Sequence, residues 1–257
     1  MEIAKGIEGV ASAAESGSQV VNQGIAVIDF GSQYTHLIAR RTRELNVYSE
    51  IVPWSASWES VQHLNPSGVI LSGGPASVYA TGAPLVPHWV FERRIPVLGI
   101  CYGLQALVHQ LGGKVVPGEK QEYGSAMLHD NATGSPLFQG LPPAFQVWMS
   151  HGDRVDELPS GFSSLAYTEN SPVAALGDGD RIFGIQFHPE VQHTPLGTTI
   201  LQNFLFSICG CKGDWTPGNF VRVSINRVRD QVGDGKVICA LSGGVDSAVT
   251  AMILDRA

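Results

Sequence analysis

"RIPVLGICYGLQALVHQLGG", residues Arg94–Gly113, decides the fold. Its first half, 95–100, is an apolar run of strand length, and its second half repeats apolar residues at the three- and four-residue spacing of a helix. Between them stands Cys101, with Gly99 two residues before it and Gly103 two residues after. A strand that turns abruptly into a helix strains the residue at the turn and makes its side chain project, and small neighbours relieve the crowding. The helix N-terminus would then face the sulfur and favour thiolate, and the Tyr102 N–H would be placed to meet a developing oxyanion.

Similar β-type runs recur at "GIAVIDF" (24–30), "VYSEIVP" (47–53), "GVILSGG" (68–74), "RIFGIQF" (181–187) and "KVICALSGG" (236–244). Helical spacing fills "QYTHLIARRTREL", "YGLQALVHQLG" and "TTILQNFLFSIC". This alternation predicts an α/β protein with an open, mostly parallel sheet flanked by helices. From about Gly118 to Gly179, short β-like pieces among Gly, Pro and Asp predict an antiparallel addition. Breaker residues in "KGDWTPGN" (212–219) read as a linker, with a fresh helix-then-strand pattern from Phe220. Residues 1–23 read as a disordered leader, lacking the apolar core of a secretory signal and the arginines of a transit peptide.

With 257 residues, 44% hydrophobic and 15% charged, the chain has material for one sizeable domain and part of another. A net charge of -7 argues against a basic surface for nucleic acid or an anionic membrane. Four cysteines make no disulfide scaffold, and no apolar stretch approaches the ~20 residues of a membrane span, so a reducing cytoplasmic setting is expected. Cys209 and Cys211 lack companion ligands for zinc and read as packing residues.

A thiolate needs a base, and the base an orienter. "GIQFHPEVQH" supplies His188 and Glu190 after an apolar strand, with Pro189 restricting the backbone between them. "LSGGPASV" sets Gly73, Gly74 and Pro75 after another strand, where backbone N–H groups can approach a carbonyl. "VWMSHGDRV" offers Ser150, His151, Gly152 and Asp153 in what reads as a polar turn. In "LSGGVDSAVT", a Ser-Gly-Gly-x-Asp-Ser loop entering a helix can surround a pyrophosphate, though it is not the common G-x-x-x-x-G-K-[ST] loop. Taken singly, each has a plainer reading: a core cysteine, a packing histidine, ordinary turns.

Together, "GICYGLQ", "QFHPE" and "LSGGP" resemble the class I, triad-type glutamine amidotransferases from about Gly24 to Ser207. The resemblance implies a flavodoxin-like sheet and hydrolysis of glutamine to glutamate and ammonia, with no cofactor and no metal in the glutaminase. It implies Cys101 as nucleophile, His188 as base and acid, and Glu190 as its orienter. Gly74 and Tyr102 would stabilise the oxyanion, while Gly73, Gln105, Ser150, His151, Gly152 and Asp153 would hold glutamine. "IDFGSQYTHLIARRTREL", "VWMSHGDRV" and "QVGDGKVICALSGGVDSAVTAMIL" extend the resemblance to the glutamine-hydrolysing GMP synthetases.

That family implies an amidotransferase domain over 24–211, a linker over 212–219, and over 220–257 the start of a truncated ATP-pyrophosphatase domain. Its loop Ser242, Gly243, Gly244, Val245, Asp246 and Ser247 would take the pyrophosphate of ATP, with Mg²⁺. The ammonia would aminate xanthosine monophosphate (XMP) to GMP, a reaction that this chain alone is not expected to complete. Two other readings are a catalytically weak form with a regulatory or interaction role, and an amidotransferase subunit of another synthase. The second would keep the triad without the "SGGVDS" loop.

Overall fold

A computed structural model of the protein describes residues 24–131 and 134–257. The expected leader lies outside the described residues. In chain order the elements are β1 (Gly24–Asp29), α1 (Thr35–Glu44), β2 (Tyr48–Pro53), α2 (Trp58–Val61), β3 (Gly68–Leu71), α3 (His88–Glu92), β4 (Val97–Ile100) and α4 (Tyr102–Gln110). The antiparallel stretch follows as β5 (Lys114–Asp130), β6 (Ala144–Glu157), β7 (Ser163–Tyr167) and β8 (Ala175–Gly177). Then come β9 (Ile182–Ile185), α5 (Gly197–Gln202) running on into a π-helical stretch (Asn203–Ile208), α6 (Pro217–Val232) and α7 (Val245–Arg256).

The strands form one nine-stranded sheet in the order β2-β1-β3-β4-β9-β8-β7-β5-β6. Its first five strands are parallel neighbours, and the rest pair antiparallel from β8 outward. The inner parallel strands β1, β3, β4 and β9 are apolar at nearly every position because successive side chains point to opposite faces and both faces are covered. On one face Ile25, Val27, Ile70, Leu98 and Ile185 pack with Ile38 of α1 and Ile200 and Leu201 of α5. On the other Ala26, Ile28, Val69, Leu71 and Val97 pack with Val90 of α3 and Leu104, Leu107 and Val108 of α4. Each fully buried side chain of this size contributes about 1.5–3 kcal/mol, so the two-sided core fixes the strand ends on which the loops stand.

The antiparallel section begins at β5, four residues earlier than the composition suggests. Two further expectations are corrected. Residues 236–241 carry no strand: Ile238 is 97% exposed, and no other described strand pairs with them. A strand without a neighbour has nowhere to place its N–H and C=O groups, so apolar content alone does not make one. The helix expected from Phe220 starts at Pro217, inside the stretch read as linker, because Thr216 caps it by accepting from Asn219 N–H at 3.1 Å and Pro217 suits the first turn. Trp215 also ties this stretch down, donating its N–H to the Asn46 carbonyl at 2.9 Å.

Candidate functional site

In doubly wound sheets ligands bind beyond the carboxyl ends of the strands, where successive connections leave on opposite faces. The loops after β1, β3, β4 and β9 all open there, around a cleft of about 590 Å³ lined by Ser32, Tyr34, Gly74, Cys101, Gln105 and His188, among others. Ser72 joins two of these loops, accepting from Phe30 N–H at 3.0 Å while donating to the Gly73 carbonyl at 2.8 Å.

Cys101 sits between β4 and α4 at φ 52°, ψ −106°, a left-handed backbone that a cysteine rarely adopts. Its N–H is held by the Ile185 carbonyl at 2.8 Å, and the next turn is held by Gly103 N–H donating to Ser72 O at 3.0 Å. The flanking glycines are sterically required. A Cβ on Gly103 would stand 2.5 Å from the Leu71 carbonyl oxygen, and one on Gly99 2.7 Å from the Gly103 carbonyl carbon. The N–H groups of Gly74 and Tyr102 have no hydrogen-bond partner among the described residues.

His188 follows β9, bonded through its N–H to Trp148 O at 3.0 Å. Its Nδ1 lies 2.7 Å from Glu190 Oε1, and its ring lines the same cleft as Cys101, whose thiol donates to the Ser150 carbonyl at 3.5 Å. Burial works against charge on this ring, but its interactions with Cys101 and Glu190 outweigh it and push His188 up to about 10. Glu190 is buried and its Oε2 has no partner among the described residues, so its charge leans on His188. Arg41 holds the Glu190 backbone, its Nε donating to the carbonyl at 3.1 Å, and the Tyr34 ring meets His188 edge-on at 5.2 Å. A cysteine, a histidine and a carboxylate in one chain of contacts, with two free amides alongside, can perform acyl transfer.

The family model for glutamine amidotransferase class-I matches residues 26–208. The chain belongs to that family. It is 55% identical over 258 residues to the GMP synthase [glutamine-hydrolyzing] of Dehalococcoides mccartyi (strain CBDB1), across 100% of this chain and 48% of that relative. The protein of the same name from Thermomicrobium roseum is 54% identical over 233 residues, across 91% of this chain and 44% of the relative. The chain thus spans about half the length of the curated relatives it matches. A solved protein of Thermoplasma acidophilum, described as one subunit of a GMP synthase, superposes with TM-score 0.65 at 32% identity, covering 73% of this chain and 94% of its own. A Thermotoga maritima glutamine amidotransferase, 19% identical, shares the fold with TM-score 0.60 over 73% of this chain and 98% of that one.

Within this class-I amidotransferase, Ser150, His151, Gly152 and Asp153 line the cleft, but in strand β6 and not in a turn. The polar residues misled because an irregular strand can carry them: β5 and β6 pair Pro117 with Asp153 and then Glu122 with His151, so four residues of β5 bulge against Gly152 alone. Gln105 lines the cleft while donating through Nε2 to Asp153 O at 3.0 Å and Gln186 Oε1 at 3.2 Å. Gly73 lies beside the His188 ring, whose Cε1 would be 3.3 Å from a Cβ placed there. Ser242–Ser247 stand apart from this cleft, at the start of α7. Sequence reasoning gave no role to Gln186, which is fully buried and donates through Nε2 to the Cys101 sulfur at 3.7 Å. The available signal was an amide at the end of the otherwise apolar run "RIFGIQF". Burial pushes the Cys209 thiol up strongly and Cys211 to about 11, which disfavours thiolate at both. No helix among the described residues is long and apolar enough to cross a membrane.

Proposed function

We propose that this chain hydrolyses glutamine through a thioester on Cys101. One observation carries the reading: the strained elbow cysteine opens on the same cleft as His188, whose Nδ1 is 2.7 Å from Glu190. Transfer of the thiol proton to His188 leaves a thiolate beside an imidazolium that Glu190 stabilises. The sulfur attacks the side-chain carbonyl carbon of glutamine, and the oxyanion takes the free N–H groups of Gly74 and Tyr102. His188 gives its proton to the departing nitrogen, the C–N bond breaks, and ammonia leaves a γ-glutamyl thioester. Water then attacks the same carbon, passing a proton to His188, and collapse expels the sulfur and releases glutamate. Gly73, Gln105 and Ser150–Asp153 hold the substrate, and these steps use only protein groups and water.

The same reading assigns 24–211 to the glutaminase and 220–257 to the opening of an ATP-pyrophosphatase unit, with the ammonia destined for amination of XMP to GMP in the cytoplasm. The loop residues suit a phosphate. Gly243 has φ 82° with open space at its Cβ position, Gly244 caps α7, and the Ser242 and Ser247 hydroxyls are 3.1 Å apart. ATP with Mg²⁺ would be held there by Ser242, Gly243, Gly244, Val245, Asp246 and Ser247 and would supply adenylation of the acceptor oxygen. Identity of 55% to a named GMP synthase across the whole chain, residues beyond 211 included, supports this over a different synthase or a non-catalytic role. The test is a reactive glutamine analogue followed by peptide mapping. Modification of Cys101 alone is expected, and equal modification of Cys209 or Cys239, or full glutaminase activity in Cys101→Ala, would overturn the assignment.

A further inference from the structure

Directly behind the cleft lies a buried carboxylate that the proposed chemistry does not use. Glu122 of β5 has a side chain only 6% exposed, and it is met from two other segments, β6 and the turn after β7. His151 Nε2 of β6 stands 3.1 Å from Oε2, while Thr168 and Ser171, which flank the turn after β7, donate hydroxyls at 2.9 Å to Oε1 and 2.6 Å to Oε2. On its far side the His151 ring reaches the Asp153 carbonyl through Nδ1 at 2.9 Å, the same carbonyl that accepts from Gln105 Nε2. Gln105 in turn leads through Gln186 to the Cys101 sulfur.

This placement coincides with the irregularity in the sheet. Between Pro117–Asp153 and Glu122–His151 the ladder is interrupted, so backbone pairing does not by itself hold Gly152 against the cleft. A Cβ on Gly118 would stand 2.9 Å from the Gly152 carbonyl oxygen, which shows how closely the bulge lies over this strand. A buried carboxylate acceptor just past the bulge fixes both strands and the 168–171 turn at one point, and hydrogen bonds to charged groups are the strong ones.

We propose that Glu122 is a positioning residue for glutamine recognition: by clamping His151 between itself and the Asp153 carbonyl, it sets the Ser150–Asp153 strand and the Gln105 amide at the spacing the substrate requires. This rests on the glutaminase reading above. It separates two properties of the site. The reactivity of the Cys101–His188–Glu190 chain rests mainly on β4, β9 and α4 and meets Glu122 only indirectly, through the Ser150 carbonyl and the Gln186 amide at the sulfur. The fit of the glutamyl group depends on Glu122.

Two reagents distinguish these properties in the full chain. Iodoacetamide reports the reactivity of Cys101 without needing the glutamyl pocket, whereas 6-diazo-5-oxo-L-norleucine must occupy that pocket before it alkylates the same sulfur. For Glu122→Gln the half-saturating concentration of the analogue, and the KM for glutamine, should rise about tenfold, the worth of one charge-assisted hydrogen bond. Iodoacetamide alkylation and the limiting rate should stay within about twofold of native on the same scale. Ser171→Ala, which removes one donor and keeps the carboxylate, should shift half-saturation in the same direction by less, and it keeps the test available should Glu122→Gln not fold. Unchanged half-saturation in both variants, or an equal loss with both reagents, overturns the positioning role. Failure of the native chain to react at Cys101 with either reagent overturns the glutaminase reading itself.

Discussion

At the residue scale, the protonation of His188 is the quantity on which the site turns. Burial opposes the charge, but the Cys101 and Glu190 contacts reverse that and hold the ring up near 10 against an ordinary 6.5. Removing the imidazole in His188→Ala should cut glutamine turnover by about 10²- to 10⁴-fold, measured as ammonia release, whereas Glu190→Gln keeps the shape, loses the orienting charge and should cost less. The same shift has a stability signature. The folded chain holds the His188 proton more tightly than the unfolded one, so the stabilisation is complete below pH 6.5 and drains away as pH climbs through about 10. Thermal melts of the native chain and of Glu190→Gln should therefore differ most below pH 6.5 and converge by pH 10. A gap that widened with pH would mean the ring is held neutral. His151, the other histidine of the cleft, has both ring nitrogens occupied by Glu122 and the Asp153 carbonyl, which leaves none for the sulfur.

At the element scale, the elbow works because β3, β4 and α4 approach with no room for a side chain at two positions. Gly103→Ala would drive a methyl group toward the backbone of β3, at 2.5 Å from Leu71 O, where neither partner is a flexible side-chain end. Overpacking of this kind costs about 1–3 kcal/mol, so the melting temperature should fall and alkylation of Cys101 should slow together. A substitution at Gly112, where a Cβ would meet nothing, serves as the control for packing, with strain from its φ of 86° alone. This element was legible in the sequence because every part of it is local: an apolar run, a cysteine between glycines, a helical repeat. His188 and Glu190 were legible for the same reason, being two residues apart. Their meeting with Cys101 was not, because it depends on β9 pairing beside β4 across some eighty intervening residues, and no local pattern encodes which strands become neighbours. Glu122 escaped notice for a related reason: its partners come from β6 and the turn after β7, and only in the folded sheet do they surround one carboxylate.

At the scale of the whole molecule, the sheet and the segment after it differ in how their apolar surface is used. The inner parallel strands enclose theirs between helices, while along 236–249 Val237, Ile238, Leu241, Val245 and Val249 are between 48% and 97% exposed, and α6 and α7 bury no residue fully. An unpaired apolar segment ahead of a helix is a surface for other chain to cover, by added strands or by a second protein. The curated relatives have about twice this length, which is where such cover would be sought. Two outcomes are expected of the 257 residues on their own. Backbone amides over 236–241 should exchange with solvent far faster than those of β1, β3 and β4, since no described strand pairs with them. On the reading proposed for Ser242–Ser247, the chain incubated with glutamine, ATP, Mg²⁺ and XMP should release little ammonia and form no GMP, because a loop for pyrophosphate supplies only one wall of a nucleotide pocket. Supplying the remaining portion of a close GMP synthase relative in trans should slow exchange at 236–241 and raise ammonia release in step with GMP. GMP formed by the 257 residues alone would overturn this division of labour, and protection gained without any change in glutamine turnover would show that the two units associate without communicating.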